Sequence, residues 1–180
     1  MKSVADVLRF WFEEHGQADW FGGQPAFDAA IADNFADTHA AIARGEGWSW
    51  RTTPPGRLAE IIVLDQFSRQ LFRDKGQAFA TDGMALVLAQ EAVGGGHHNF
   101  LPASQRIFFL LPFMHSESVE MQQESVRLHT ALGIADYMKY AHGHAEVIKR
   151  FGRFPRRNVA LGRESTPEEE AYLVSTTGAF

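Results

Sequence analysis

The chain has 180 residues, 45% of them apolar and 22% charged, with a formal net charge of −5 and no cysteine. That size suits one domain able to bury about two-thirds of its unfolded surface, and the lack of thiols excludes disulfides and thiolate chemistry. The acidic balance argues against a broad nucleic-acid-binding face, and no apolar run is long enough to cross a bilayer.

Helical periodicity dominates from end to end, and no stretch alternates in the manner of a strand. Ser3 and Asp6 resemble a capping box ahead of Val4, Val7, Leu8 and Trp11 on one face. Asp6, Arg9, Glu13 and Glu14 make this opening unlike a signal-peptide core, so a cytoplasmic protein is expected. Gly22-Gly23 breaks the chain, Pro25 suits the first turn of a second helix, and Gly45 ends it. Thr53-Pro54 starts a third helix running to Phe72, apolar over most of its circumference. Thr81 or Asp82 caps a fourth, which the Gly94-Gly95-Gly96 run stops. Pro102 opens a fifth, which Pro112 is expected to end or kink because proline removes a backbone donor. Ser116 is the expected cap of a sixth, with Glu117 and Glu120 in its first turn. A seventh covers 134–151, with Gly152 as a left-handed stop. Thr166-Pro167 with Glu169 begins a last helix reaching Val174. About eight helices with short connections predict an all-α single domain, 1–180, of antiparallel helix pairs.

Charge is distributed unevenly. Residues 149–163 hold six of the 17 Lys and Arg side chains and no acidic one. Like charges concentrated in this way are balanced by solvent, by internal carboxylates or by an anionic ligand, a solvated surface patch being the default. Phe151, Phe154 and Pro155 interleave with the arginines and could anchor the loop, fixing the guanidinium forks for bidentate recognition of carboxylate or phosphate. Two further clusters stand out. Asp65, Gln66, Arg69 and Arg73 share a face of the third helix, with Asp65 and Arg69 spaced as an i,i+4 ion pair. His115 and Glu117 follow the proline break, where exposed backbone N–H groups attract anions and an imidazole can exchange protons. His144 falls on the same side of its helix as Val147, Ile148 and Phe151, the placement of a core histidine. His115-x-Glu117 and His142-x-His144 are pairs of low specificity, and there is no H-E-x-x-H, so neither metal nor cofactor is expected.

Several motifs in order carry a resemblance: Val7-Leu8-Arg9-Phe10-Trp11-Phe12, Trp20-Phe21-Gly22, Val63-Leu64-Asp65-Gln66-Phe67-Ser68-Arg69, Pro112-Phe113-Met114-His115-Ser116-Glu117, Phe151-Gly152-Arg153-Phe154-Pro155 and Leu161-Gly162-Arg163-Glu164-Ser165-Thr166. Together they resemble the bacterial domain-of-unknown-function family numbered 924 over nearly the whole chain. The resemblance implies a tetratricopeptide-like α-α superhelix and no established activity. Where the family usually reads D-Q-F-P-R-N, this chain has Ser68 and Gln70; where it usually reads F-P-H-R-N, this chain has Arg156. The second departure removes a histidine that an acid–base mechanism could use and leaves the arginines in place.

The functional expectation is a site for a small anionic, phosphate- or carboxylate-bearing metabolite. Asp65, Gln66, Arg69, Arg73, Arg153, Arg157 and Asn158 would bind the ligand, and His115, Glu117 and His144 would carry any proton transfer. The alternative is a helical interaction module that binds a peptide, a partner protein or a second copy in a groove. Neither nucleic acid nor membrane is an expected partner.

Overall fold

The computed structural model describes residues 1–21 and 23–175. Every regular element among them is helical, and the chain divides into two compact units, one of residues 1–73 and 77–109, the other of 74–76 and 110 onward.

The first unit opens with α1 (Val4–Arg9), whose capping box pairs Ser3 with Asp6, and the helix widens into a π turn over Phe10–Glu14. The short α2 (Gln17–Trp20) and the long α3 (Pro25–Ala43) follow. A 3-10 turn at Trp48–Thr52 leads into α4 (Pro54–Ile62), with Thr53 capping through its side chain. The third helix is not regular to its end: a π turn over Val63–Phe67 separates α4 from α5 (Ser68–Leu71). The extra residue leaves Leu64 O short of its usual partner, and the hydroxyls of Ser68 and Thr81 donate to it at 2.6 and 2.7 Å. α6 (Asp82–Gly94) completes the unit together with the first part of α7 (Ala103–Met114).

Aromatic side chains fill much of this unit's core. Trp11, fully buried, stacks on Trp20 at 5.3 Å and meets Phe67 and Phe108 at 5.6 Å. Phe10 packs on Phe35 at 4.9 Å and Phe27 at 5.8 Å. Such pairs contribute about 0.5–1.5 kcal/mol each beyond their buried area. Gly56 is fitted to its place, because a Cβ there would lie 1.9 Å from the Trp50 carbonyl oxygen.

In the second unit Pro112 does not stop α7, which continues to Met114. The last turn closes with His115 N–H donating to Leu111 O at 2.9 Å. The cap of α8 (Val119–Leu132) is Ser118, not Ser116, whose hydroxyl accepts from Ser118 N instead. α8 turns at Gly133, with φ +76°, into α9 (Ala135–Phe151), and the two pack as an antiparallel hairpin. Gly152 ends α9 in the left-handed conformation, and a 3-10 turn at Pro155–Arg157 follows. α10 (Pro167–Ser175) starts with the expected box: Thr166 Oγ1 accepts from Glu169 N, and Glu169 accepts from Thr166 N. No helix among the described residues is long and apolar enough to cross a membrane.

Candidate functional site

The polar side chains singled out above fall into two groups. Asp65, Gln66, Arg69 and Arg73 belong to the first unit, whereas His115, Glu117, His144, Arg153, Arg157 and Asn158 belong to the second.

In the first unit the π turn carries Asp65 inward, leaving it 1% exposed. Arg69 meets Asp65 at 3.2 Å and Asp82 at 3.1 Å, while Gln66 donates to Asp65. Burial works against the Arg69 charge, but Asp65 and then Asp82 outweigh it and raise the pKa above the ordinary arginine value. Arg73 grips Asp28 with both arms, at 2.6 and 2.7 Å. A fork–fork pair of this kind positions both partners rigidly.

In the second unit the basic segment is paired largely with carboxylates of the same unit. Arg153 holds Glu169 through two bonds of 2.7 and 2.8 Å, and Arg163 holds Glu117 through two of 2.9 and 2.8 Å. Glu117 also accepts from Phe154 N at 2.9 Å. Burial pushes the Glu117 pKa up, and Arg163 together with that N–H overrides it to give a net lowering. Glu169 is 2% exposed and accepts from Arg153, Thr166 N and Asn158 Nδ2. These bonds, that of Arg153 foremost, hold it at about 2. Asn158 is fully buried, its Nδ2 shared between Ser165 and Glu169 and its Oδ1 without a partner.

The remaining groups gather around Phe154. Arg157 lies over the Phe154 ring with Cζ 4.6 Å from the centroid, and His144 meets the same ring edge-on at 5.5 Å. Arg157 Nη2 donates to the His115 carbonyl at 2.8 Å, and the His115 and His144 rings lie 6.3 Å apart. The end of α7, α9 and the 3-10 turn thus each send one polar group to this point. Burial, then His115, lowers the His144 pKa to about 3, the bond to Tyr140 O opposing and Arg157 adding to the effect. His129 of α8 was not singled out from the sequence. It is fully buried, stacks on Tyr137 at 6.5 Å, and burial holds it at about 4. Its position seven residues after Gln122 on one helix face was the available signal. Gln122 braces the His115 segment by donating at 2.7 Å to both Met114 O and Ser116 O. Among the described residues, no three His, Asp or Glu side chains are grouped to hold a metal ion.

Fold and site together define an all-helical protein in which many charges are internally paired and, in the second unit, an imidazole and a guanidinium meet one aromatic ring. The family model described as "Bacterial protein of unknown function (DUF924)" matches residues 7–177, and the chain belongs to that family. Among solved structures it is similar to a protein of unknown function, ATU0120, from Agrobacterium tumefaciens. The two share 40% identity and a TM-score of 0.91, over 96% of this chain and 97% of that one. No curated protein matches the chain significantly.

Proposed function

We propose that this protein is a cytoplasmic binder of a small anionic metabolite, phosphate- or carboxylate-bearing, at the His115–His144–Arg157 cluster of the second unit. The observation that carries this reading is the meeting of His144 and Arg157 on the Phe154 ring, with the His115 ring 6.3 Å from that of His144 and the His115 carbonyl accepting from Arg157. Stacking on Phe154 and the bond to the His115 carbonyl fix the direction of the Arg157 fork, which favours recognition of a planar or tetrahedral anion. His144, held neutral near pH 7, supplies a polar ring beside it, with His115 at hand for proton transfer. Glu117, Arg153 and Asn158 act one layer behind, holding the Phe154–Arg157 turn in place. Asp65, Gln66, Arg69 and Arg73 stabilise the first unit in this reading.

Thermal-shift measurements with inorganic phosphate, succinate and citrate test it. A ligand at 100 times its Kd stabilises by about 2.7 kcal/mol, a Tm rise of about 5–10 °C at this chain size. Arg157→Ala should abolish the rise. Absence of any rise across the panel, or a rise retained in that variant, refutes the reading.

A second reading, a tetratricopeptide-like interaction module, draws on a groove of about 520 Å³ between α8 and α9. Val119, Gln122, Val126, His142, Ala145 and Lys149 are among the residues that line it. A partner seated there would be displaced by Ala145→Trp, which leaves the histidine–arginine cluster untouched.

A further inference from the structure

The groove between α8 and α9 is walled by two stripes at helical spacing. Val119, Gln122 and Val126 line it from α8, and His142, Ala145 and Lys149 from α9. Steps of three and four residues keep each stripe on one face of its helix, and the antiparallel hairpin turns both faces to the same side. The small side chain of Ala145 leaves room between the walls, and Val119 is left 51% exposed on the opposite one. An apolar opening of this kind along a helical hairpin is half of the contact from which a four-helix bundle is built.

Charge at the rim narrows the occupant. The ionic side chains that line the groove, Glu146 and Lys149, are of opposite sign and one turn apart on α9. They face each other at 3.8 Å with side chains 73% and 75% exposed. A pair so open to water contributes little within one chain, so both charges can change partner at small cost. A strongly acidic or basic partner gains nothing from a rim whose charges cancel. The same rim turned about a two-fold axis sets each Lys149 against the other copy's Glu146, and a self-complementary patch of this kind is what a two-fold contact requires.

Size agrees. α8 has 14 residues and α9 has 17. Helices of about 21 and 25 Å, packed about 9 Å apart, present a flat face of roughly 400 Å². Two such faces fall in the range of weak, reversible protein contacts. Resting on the interaction reading of this groove, we propose that its occupant is a second copy of this chain, the two hairpins packing across a two-fold axis between Glu146 and Lys149. Val119 of each copy then enters the groove of the other, and reciprocal Lys149–Glu146 pairs close the rim.

Sedimentation equilibrium of the full chain from about 1 to 500 µM covers the affinities that such a contact gives. The mass should rise from monomer to dimer across that range. Ala145→Trp fills the groove and should weaken the dimer at least about tenfold. Glu146→Lys and Lys149→Glu, both at exposed positions, should each weaken it about tenfold by setting like charges across the axis. The double swap, Glu146→Lys with Lys149→Glu, should restore it, with circular dichroism confirming that every variant is folded. A swap that fails to restore a dimer lost in the single variants overturns the two-fold pairing. A dimer indifferent to all four variants lies on another surface and overturns the inference. A monomer at every concentration overturns it too. If the immobilised chain then still captures a lysate protein that Ala145→Trp rejects, the interaction reading stands with a different occupant; if it captures none, both fall.

Discussion

Glu169→Gln is the most direct probe of the second unit's charged layer. The carboxylate is 2% exposed and receives both arms of Arg153, the Thr166 N–H and the Asn158 amide. These partners bring its pKa from an ordinary 4.5 to about 2. At about 1.36 kcal/mol per pH unit, that preference for the ionised form corresponds to roughly 3 kcal/mol of stability. The sign follows from the direction. A folded pKa below the unfolded one means the contribution is complete above about pH 5 and is lost as pH falls from there toward 2. Glutamine retains the shape, loses the charge and turns a donor toward a guanidinium. It should therefore cost about 3 kcal/mol at pH 7 and about 2 near pH 3.5, where part of the wild-type advantage has already been lost. Denaturation followed by far-UV circular dichroism at both pH values reads this. All four tryptophans lie in the first unit, so their fluorescence separates its unfolding from that of the second. A loss below about 1 kcal/mol at pH 7, or an equal loss at the two pH values, would refute the argument.

Two further outcomes concern the first unit. Gly56→Ala would place a Cβ 1.9 Å from a backbone oxygen that cannot step aside, so it should destabilise by about 1–3 kcal/mol, visible as an earlier tryptophan-fluorescence transition in urea. Ser68→Ala removes a fully buried hydroxyl that bonds Leu64 O, His39 Nε2 at 2.7 Å and Thr81 at 2.9 Å. It should cost about 1–3 kcal/mol by the same assay, because His39 is buried and loses the partner of its ring nitrogen. Wild-type stability in that variant would mean that Thr81 alone satisfies the π turn.

Helix class, most helix starts and the stops at glycine could be read along the chain because they depend on neighbours within one turn. The Ser3–Asp6 and Thr166–Glu169 boxes, proline at the first turn of α3 and left-handed Gly152 are all such short-range devices. The departures from expectation are also local. Pro112 stays inside α7, which runs on to Met114, and Ser118 supersedes Ser116 as cap, leaving Glu117 ahead of the helix to reach Phe154 N and Arg163. The π turn at Val63–Phe67 has no signature in hydrophobic period, since all five of its residues are buried and no exposed position marks the extra residue.

Pairing was a different matter. The string of residues shows that 149–163 is basic and that something must balance it, since repulsion among like charges requires as much. It does not say that Arg153 would take Glu169, that Arg163 would take Glu117 from 46 residues away, or that Arg157 would turn to the His115 carbonyl. Those choices depend on which backbones packing brings within 3 Å of one another, a long-range outcome set by the burial of Val147, Ile148 and Phe154 and not by any spacing along the chain.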